Sequence, residues 1–122
     1  MMQQRQAQHV YKQNQIMTAN PKKLIVLLYD GCIKNMKQAE LAIHEQQIEQ
    51  ANHALKKAQD IILELQSTLN FEAGGDIAQN LNDIYIYLMD KLIESNIKKD
   101  AELVLQSRKL LEDLREAWTE IS

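Results

Sequence analysis

Chemistry in this sequence has to come from three histidines, a single cysteine and 17 carboxylates. His44 follows Glu40 by four residues, and His53 follows Glu49 by four. Four residues is about one helical turn, so each histidine sits beside its glutamate on one helix face. Such pairs decorate solvated helix surfaces. A di-iron centre in a helical bundle instead takes Glu-x-x-His on two helices plus a glutamate from each of the others. Glu-x-x-His does not occur here. Cys32 falls on an apolar helix face with no histidine placed to activate it, which describes an inert buried thiol. The chain also lacks a glycine-rich phosphate loop and a nucleophile elbow. The expectation is a protein that is not an enzyme, with no catalytic residue, no cofactor and no metal.

His53 carries the single motif that argues otherwise. Residues 52–58 read NHALKKA. The His-x-Leu-Lys core resembles that of histidine phosphotransfer domains, which are also helical bundles. That resemblance implies His53 as the phosphoacceptor, with Lys56 steadying the phosphoryl group. The family places Gly after the Lys so that a partner can approach closely, and here Lys57 stands there. Three matching residues make a nonspecific motif. Phosphotransfer through His53 is carried as the alternative function.

The elements that must position these residues are helices. The chain has only three Gly and one Pro, which leaves long stretches without breakers. Asn20 then Pro21 reads as an N-cap followed by Pro at the first helical position. From there Ile25, Leu28, Tyr29, Cys32, Met36, Ala39 and Ile43 form one stripe at 100° per residue, and the helix ends near 45–47. In the second helix Ile48, Ala51, Leu55, Ala58, Ile62, Leu65 and Leu69 recur at alternating steps of three and four, a heptad seam. Residues 70–75 break it. Asp76 with Gln79 resembles a capping box and opens the third helix, whose inner face is Ile77, Leu81, Ile84, Tyr85, Leu88 and Leu92. The stretch 95–100, SNIKKD, makes a second break. The fourth helix places Leu103, Val104, Ser107, Leu111, Leu114, Trp118 and Ile121 on one face. Four helices with short connections predict an all-α fold, an antiparallel up-down-up-down four-helix bundle. The domain spans 18–122. Residues 1–17, with six Gln, read as a flexible N-terminal segment, although Val10, Tyr11, Ile16 and Met17 are apolar enough to dock.

Two helices carry more apolar surface than one seam uses. Residues 24–29 are apolar without a break, so the first helix begins with a girdle where a surface helix shows a stripe. Leu24 and Leu27 fall beside its seam. On the third helix Ile86, Met89 and Ile93 sit roughly opposite the inner face. Exposed apolar patches of this kind mark partner sites. Tyr11, Leu24, Leu27, Ile86, Met89 and Ile93 are therefore the candidate partner-binding residues. Tyr11 belongs to a tail expected to cover part of the surface and to yield to the partner.

Charge and hydropathy exclude other classes. The net charge is −3, and the basic residues are scattered rather than gathered in a stripe, so nucleic acid is not an expected partner. No apolar run approaches the ~20 residues of a membrane span, so no membrane insertion is expected. The polar N-terminus is not a secretory signal, and one cysteine allows no internal disulfide. A cytoplasmic location is the expectation.

Four blocks then resemble one family. They are YKQNQIMTANPKKLIVLLYDGCIK, KAQDIILELQSTLN, AQNLNDIYIYLMDKLIESNI and LREAWTEI. They are similar to the FliS family of flagellin export chaperones from Tyr11 to the C-terminus. The opening block is the most specific, through Tyr11, Asn14, Thr18, Pro21, Leu24 and Leu28-Tyr29-Asp30-Gly31. Asn96 and Trp118 also fall where that family has them. Asn20 stands where Ser is common, and Ser95 where Ala is common. The resemblance implies a cytoplasmic four-helix bundle that binds the disordered C-terminal segment of flagellin, which becomes partly helical when bound. It implies a chaperone that prevents premature polymerisation and helps deliver flagellin to the flagellar export apparatus. A homodimer of the free protein stays open.

Overall fold

The computed structural model describes residues 21–120. Within them the chain forms four helices: α1 (Pro21–His44), α2 (Ile48–Ser67), α3 (Phe71–Lys98) and α4 (Ala101–Glu120). The segment 1–17 with Tyr11, the cap residue Asn20, and Ile121 lie outside the described residues.

Each connection is only two or three residues long, and local hydrogen bonds reverse the chain. After α1, Gln46 takes the left-handed conformation at φ 58°. The Gln46 N–H donates to the Ile43 carbonyl at 3.0 Å, and the Gln47 N–H to the Ala42 carbonyl at 2.8 Å. This bond pair closes a helix through a left-handed residue. Lys99 repeats the device after α3 at φ 51°, its N–H and that of Asp100 both reaching the Ser95 carbonyl. Asp100 then caps α4, with Oδ1 accepting from the N–H of Glu102 at 3.0 Å and of Leu103 at 3.3 Å.

α3 starts earlier and ends later than the sequence pattern predicts. Asn70 is the cap, where the sequence suggested Asp76. Its Oδ1 accepts from the Ala73 N–H at 3.1 Å, which makes 71–74 helical. The expected break over 70–75 shrinks to Gly75, at φ 50° and ψ −123°. That conformation is open to glycine and strained for any other residue. At the far end, 95–98 stay helical. Ser95 is buried and satisfies its hydroxyl by donating to the Lys91 carbonyl at 2.6 Å, so it need not end the helix.

The helices form a ring. α1 lies beside α2 and α4, and α3 lies beside the same two on the far side. α1 and α3 therefore face each other only across a diagonal. Asp30 pairs with Arg115 and Glu40 with Arg108 between α1 and α4. Gln66 pairs with Asn82 and Asn52 with Asn96 between α2 and α3. Residue numbers rise on one helix as they fall on the other, so both pairs are antiparallel.

The predicted seams supply most of the core. Tyr29, Cys32, Met36 and Ala39 of α1 are fully buried against Leu55, Ile62 and Leu65 of α2, Leu88 and Leu92 of α3, and Val104 and Leu111 of α4. Ala42, Ala51, Ala54 and Ala58 are buried too, and their small side chains let α1 and α2 approach closely. Two seam positions fail. Ile48 is 54% exposed and Ile77 is 71% exposed. Ile48 opens α2, and Ile77 follows the Gly75 break near the start of α3.

Candidate functional site

The girdle at the start of α1 is largely absorbed by packing. Ile25 and Leu28 pack against the core, and Leu24 and Val26 are half-buried. Ile33, one further turn along, is buried. Leu27 is the exception, at 45% exposure. Leu24, Leu27 and Gly31 share a helix face at steps of three and four. Gly31 looks onto α2, because a Cβ built there would lie 3.5 Å from Ile61 Cδ1. Leu24 and Leu27 thus border the α1–α2 seam.

The second face of α3 is different. Ile86 is 47% exposed and Ile93 42% exposed, while Met89 is half-buried against the core. These three lie in a row with Asn82 and Asn96, at spacings of three and four. Asn96 donates to the Asn52 side chain at 2.6 Å, and Gln66 donates to Asn82 at 3.0 Å. The row therefore borders the α2–α3 seam. Amides stand at its two ends, exposed Asp83 and Asp90 lie along its flank, and Ile97, 79% exposed, extends it by a further turn.

Each set of candidate residues keeps its own surface. Leu24 with Leu27 and Ile86 with Met89 and Ile93 flank α2 on its two sides, and α2 separates them. Tyr11 lies outside the described residues. Sequence reasoning missed Leu63 (55% exposed), Tyr87 and Ile97. Leu63 lies off the α2 heptad seam, so the phase argument used for Ile86 would have found it. Tyr87 stacks beneath Lys91, whose Nζ is 5.5 Å from the ring centroid.

The α1–α4 seam is latched by charge. Arg108 grips Glu40 through two hydrogen bonds, Nε to Oε2 at 2.5 Å and Nη2 to Oε1 at 3.1 Å, and reaches Glu112 with Nη1 at 2.7 Å. Arg115 forks onto Asp30 in the same way, nearer solvent. Glu40 therefore pairs with Arg108 on α4 and is half-buried, rather than forming a solvated pair with His44, which is exposed. Near the end of the bundle that holds the start of α1, the Trp118 indole N–H donates to Tyr29 Oη at 2.9 Å, and Tyr29 and Tyr85 hydroxyls meet at 2.6 Å. Burial raises both phenols above their ordinary value. Burial also pushes the Cys32 thiol up to about 12, which keeps it protonated and unreactive.

His53 and Lys56 are exposed on α2. Among the described residues, no group of three or more His, Cys, Asp or Glu side chains is placed to hold a metal ion. Among them also, no helix is long and apolar enough to cross a membrane.

Comparison with known proteins decides what such a bundle belongs to. The family model described as flagellar protein FliS matches residues 2–122. The chain belongs to the FliS family of flagellar secretion chaperones. It is 36% identical over 108 residues to the flagellar secretion chaperone FliS of Bacillus subtilis, covering 88% of this chain and 80% of that one. It is 32% identical over 120 residues to the Campylobacter jejuni FliS, covering 98% and 94%. A crystal structure of a flagellar chaperone from bacteria shares the fold, with a TM-score of 0.79 at 24% identity over 96% of this chain and 95% of that one. FliS is a chaperone family and not an enzyme family, so the phosphotransfer reading of His53 gives way.

Proposed function

We propose that this protein binds the disordered C-terminal segment of flagellin in the cytoplasm, keeps it from polymerising early and presents it to the flagellar export apparatus. The observation that carries this reading is the outer row of α3, where Ile86 and Ile93 stay nearly half exposed in a bundle whose core is otherwise complete. An ordered protein rarely leaves such a row open without a partner. A disordered segment loses conformational entropy on binding and needs long apolar contact to offset it. Leu24 and Leu27 offer a second contact on the other side of α2, so one segment reaching both would cross that helix. Tyr11 joins the set on sequence grounds. Calorimetric titration with flagellin from the same cell tests the reading. Intact flagellin should bind with one-to-one stoichiometry and flagellin lacking its C-terminal segment should not. Equal binding of both proteins would refute it.

A further inference from the structure

Two lines of side chains face each other along the α2–α3 seam. Asn52, Gln59 and Gln66 recur every seven residues on α2, and Asn82, Met89 and Asn96 do so on α3. Seven residues are close to two helical turns, so each set stays on one side of its helix. Gln66 donates to Asn82 at 3.0 Å, and Asn96 donates to Asn52 at 2.6 Å. These two bonds fix the register of the antiparallel pair and set Gln59 level with Met89.

The middle rung is therefore a mismatch. Met89 packs against the core, and its thioether is a weak acceptor and no donor. Gln59 is half-buried, and no described residue bonds its amide. Water serves that amide while the seam is open. The level of Met89 lies midway between Ile86 and Ile93, the exposed residues of the outer row, and Leu63, also exposed, lies one turn from Gln59 on α2. A segment resting on Ile86 and Ile93 across the seam passes over Gln59 and strips its water. An amide buried without a partner costs affinity, so the occupant has to supply one.

We propose that Gln59 is a specificity-determining residue of this surface, pairing with an asparagine or glutamine side chain of the docked segment. This role rests on the outer α3 row being the flagellin site. The groove between two helices accepts a third helix laid along it. A helix bonds its own backbone groups internally, so the group that meets Gln59 is a side chain. A carboxamide offers both the acceptor and the donor that Gln59 needs, without the cost of taking a charge out of water beside Ile86 and Ile93. The seam already pairs amide with amide on the rungs to either side. A segment carrying an apolar residue at that level is selected against, because Gln59 stays unpaired beneath it.

Gln59→Leu breaks no hydrogen bond among the described residues and should melt like the unaltered chain. In calorimetric titration it should bind intact flagellin from the same cell at least about fivefold more weakly, because the segment's amide is then the unpaired group. Gln59→Glu keeps the size of the side chain, loses both donor protons and should weaken binding as well. Each Asn and Gln of the flagellin C-terminal segment is then replaced by Leu in turn. One such variant should lose affinity by a similar factor against the unaltered chain and regain it against Gln59→Leu. The proposal is overturned if both Gln59 variants bind flagellin as tightly as the unaltered chain, or if no Asn or Gln variant shows that coupling. Either result, with normal binding by the unaltered chain, leaves the flagellin reading standing. Absence of binding by the unaltered chain refutes both.

Discussion

α1 and α3 carry the same kind of apolar excess in sequence and meet different fates. Around the girdle of α1 only Leu27 stays open, because α2 and α4 pack against it on both sides, the latter with Arg115–Asp30 beside the girdle. α3 touches the same two helices, yet Ile86, Tyr87, Ile93 and Ile97 remain exposed. The contrast teaches that apolar excess alone does not mark a binding face. An apolar face stays open where the neighbouring helices do not reach around to cover it.

The contrast can be broken or sharpened by substitution. Leu88→Ala, on the inner face of α3, should cost ~2–5 kcal/mol by chemical denaturation, because the side chain is fully buried. Next comes the latch that closes α1. Arg108→Met leaves Glu40 half-buried without its partner and should cost about 2 kcal/mol. Ile86→Ala combined with Ile93→Ala should change stability by about 1 kcal/mol or less. The same double variant should bind the flagellin C-terminal segment at least tenfold more weakly, a loss of ~1.4 kcal/mol. Were it to lose stability as Leu88→Ala does while binding normally, the outer face of α3 would be core and the comparison would collapse. Arg115→Ala should cost the least stability of these variants, and less again in high salt, because that pair lies largely in solvent.

The smallest effect at neutral pH concerns Cys32. Its thiol ordinarily titrates near 9.0 and is pushed up to about 12 in the fold. Between those values the unfolded chain has lost the proton and the folded one keeps it, so stability falls as pH rises. Tyr29 and Tyr85, also raised by burial from 10.0, add a fall of the same sign above about pH 10. Denaturation midpoints measured from pH 8 to 11 should therefore decline. Cys32→Ala should remove the part of the decline that begins near pH 9 and leave the part that begins near pH 10.

The helical class, the four inner faces and the family were legible in the residues. Periodicity is local: a stripe such as Tyr29, Cys32, Met36 and Ala39 declares itself within one helix, and all four are fully buried. The outer phase of Ile86 and Ile93 was legible for the same reason. The helix ends were less so. Left-handed closure at Gln46 and Lys99 uses residues with no strong preference for it, and Asp76 looked like the cap where the structure uses Asn70. Only the tertiary structure decided which helices are neighbours. It alone set the candidate residues of α1 and α3 on opposite sides of α2, paired Glu40 with Arg108 across 68 positions, and brought Tyr29, Tyr85 and Trp118 to one point. A one-dimensional period fixes the direction in which a side chain leaves its own helix, but what it meets depends on how four helices close into a ring.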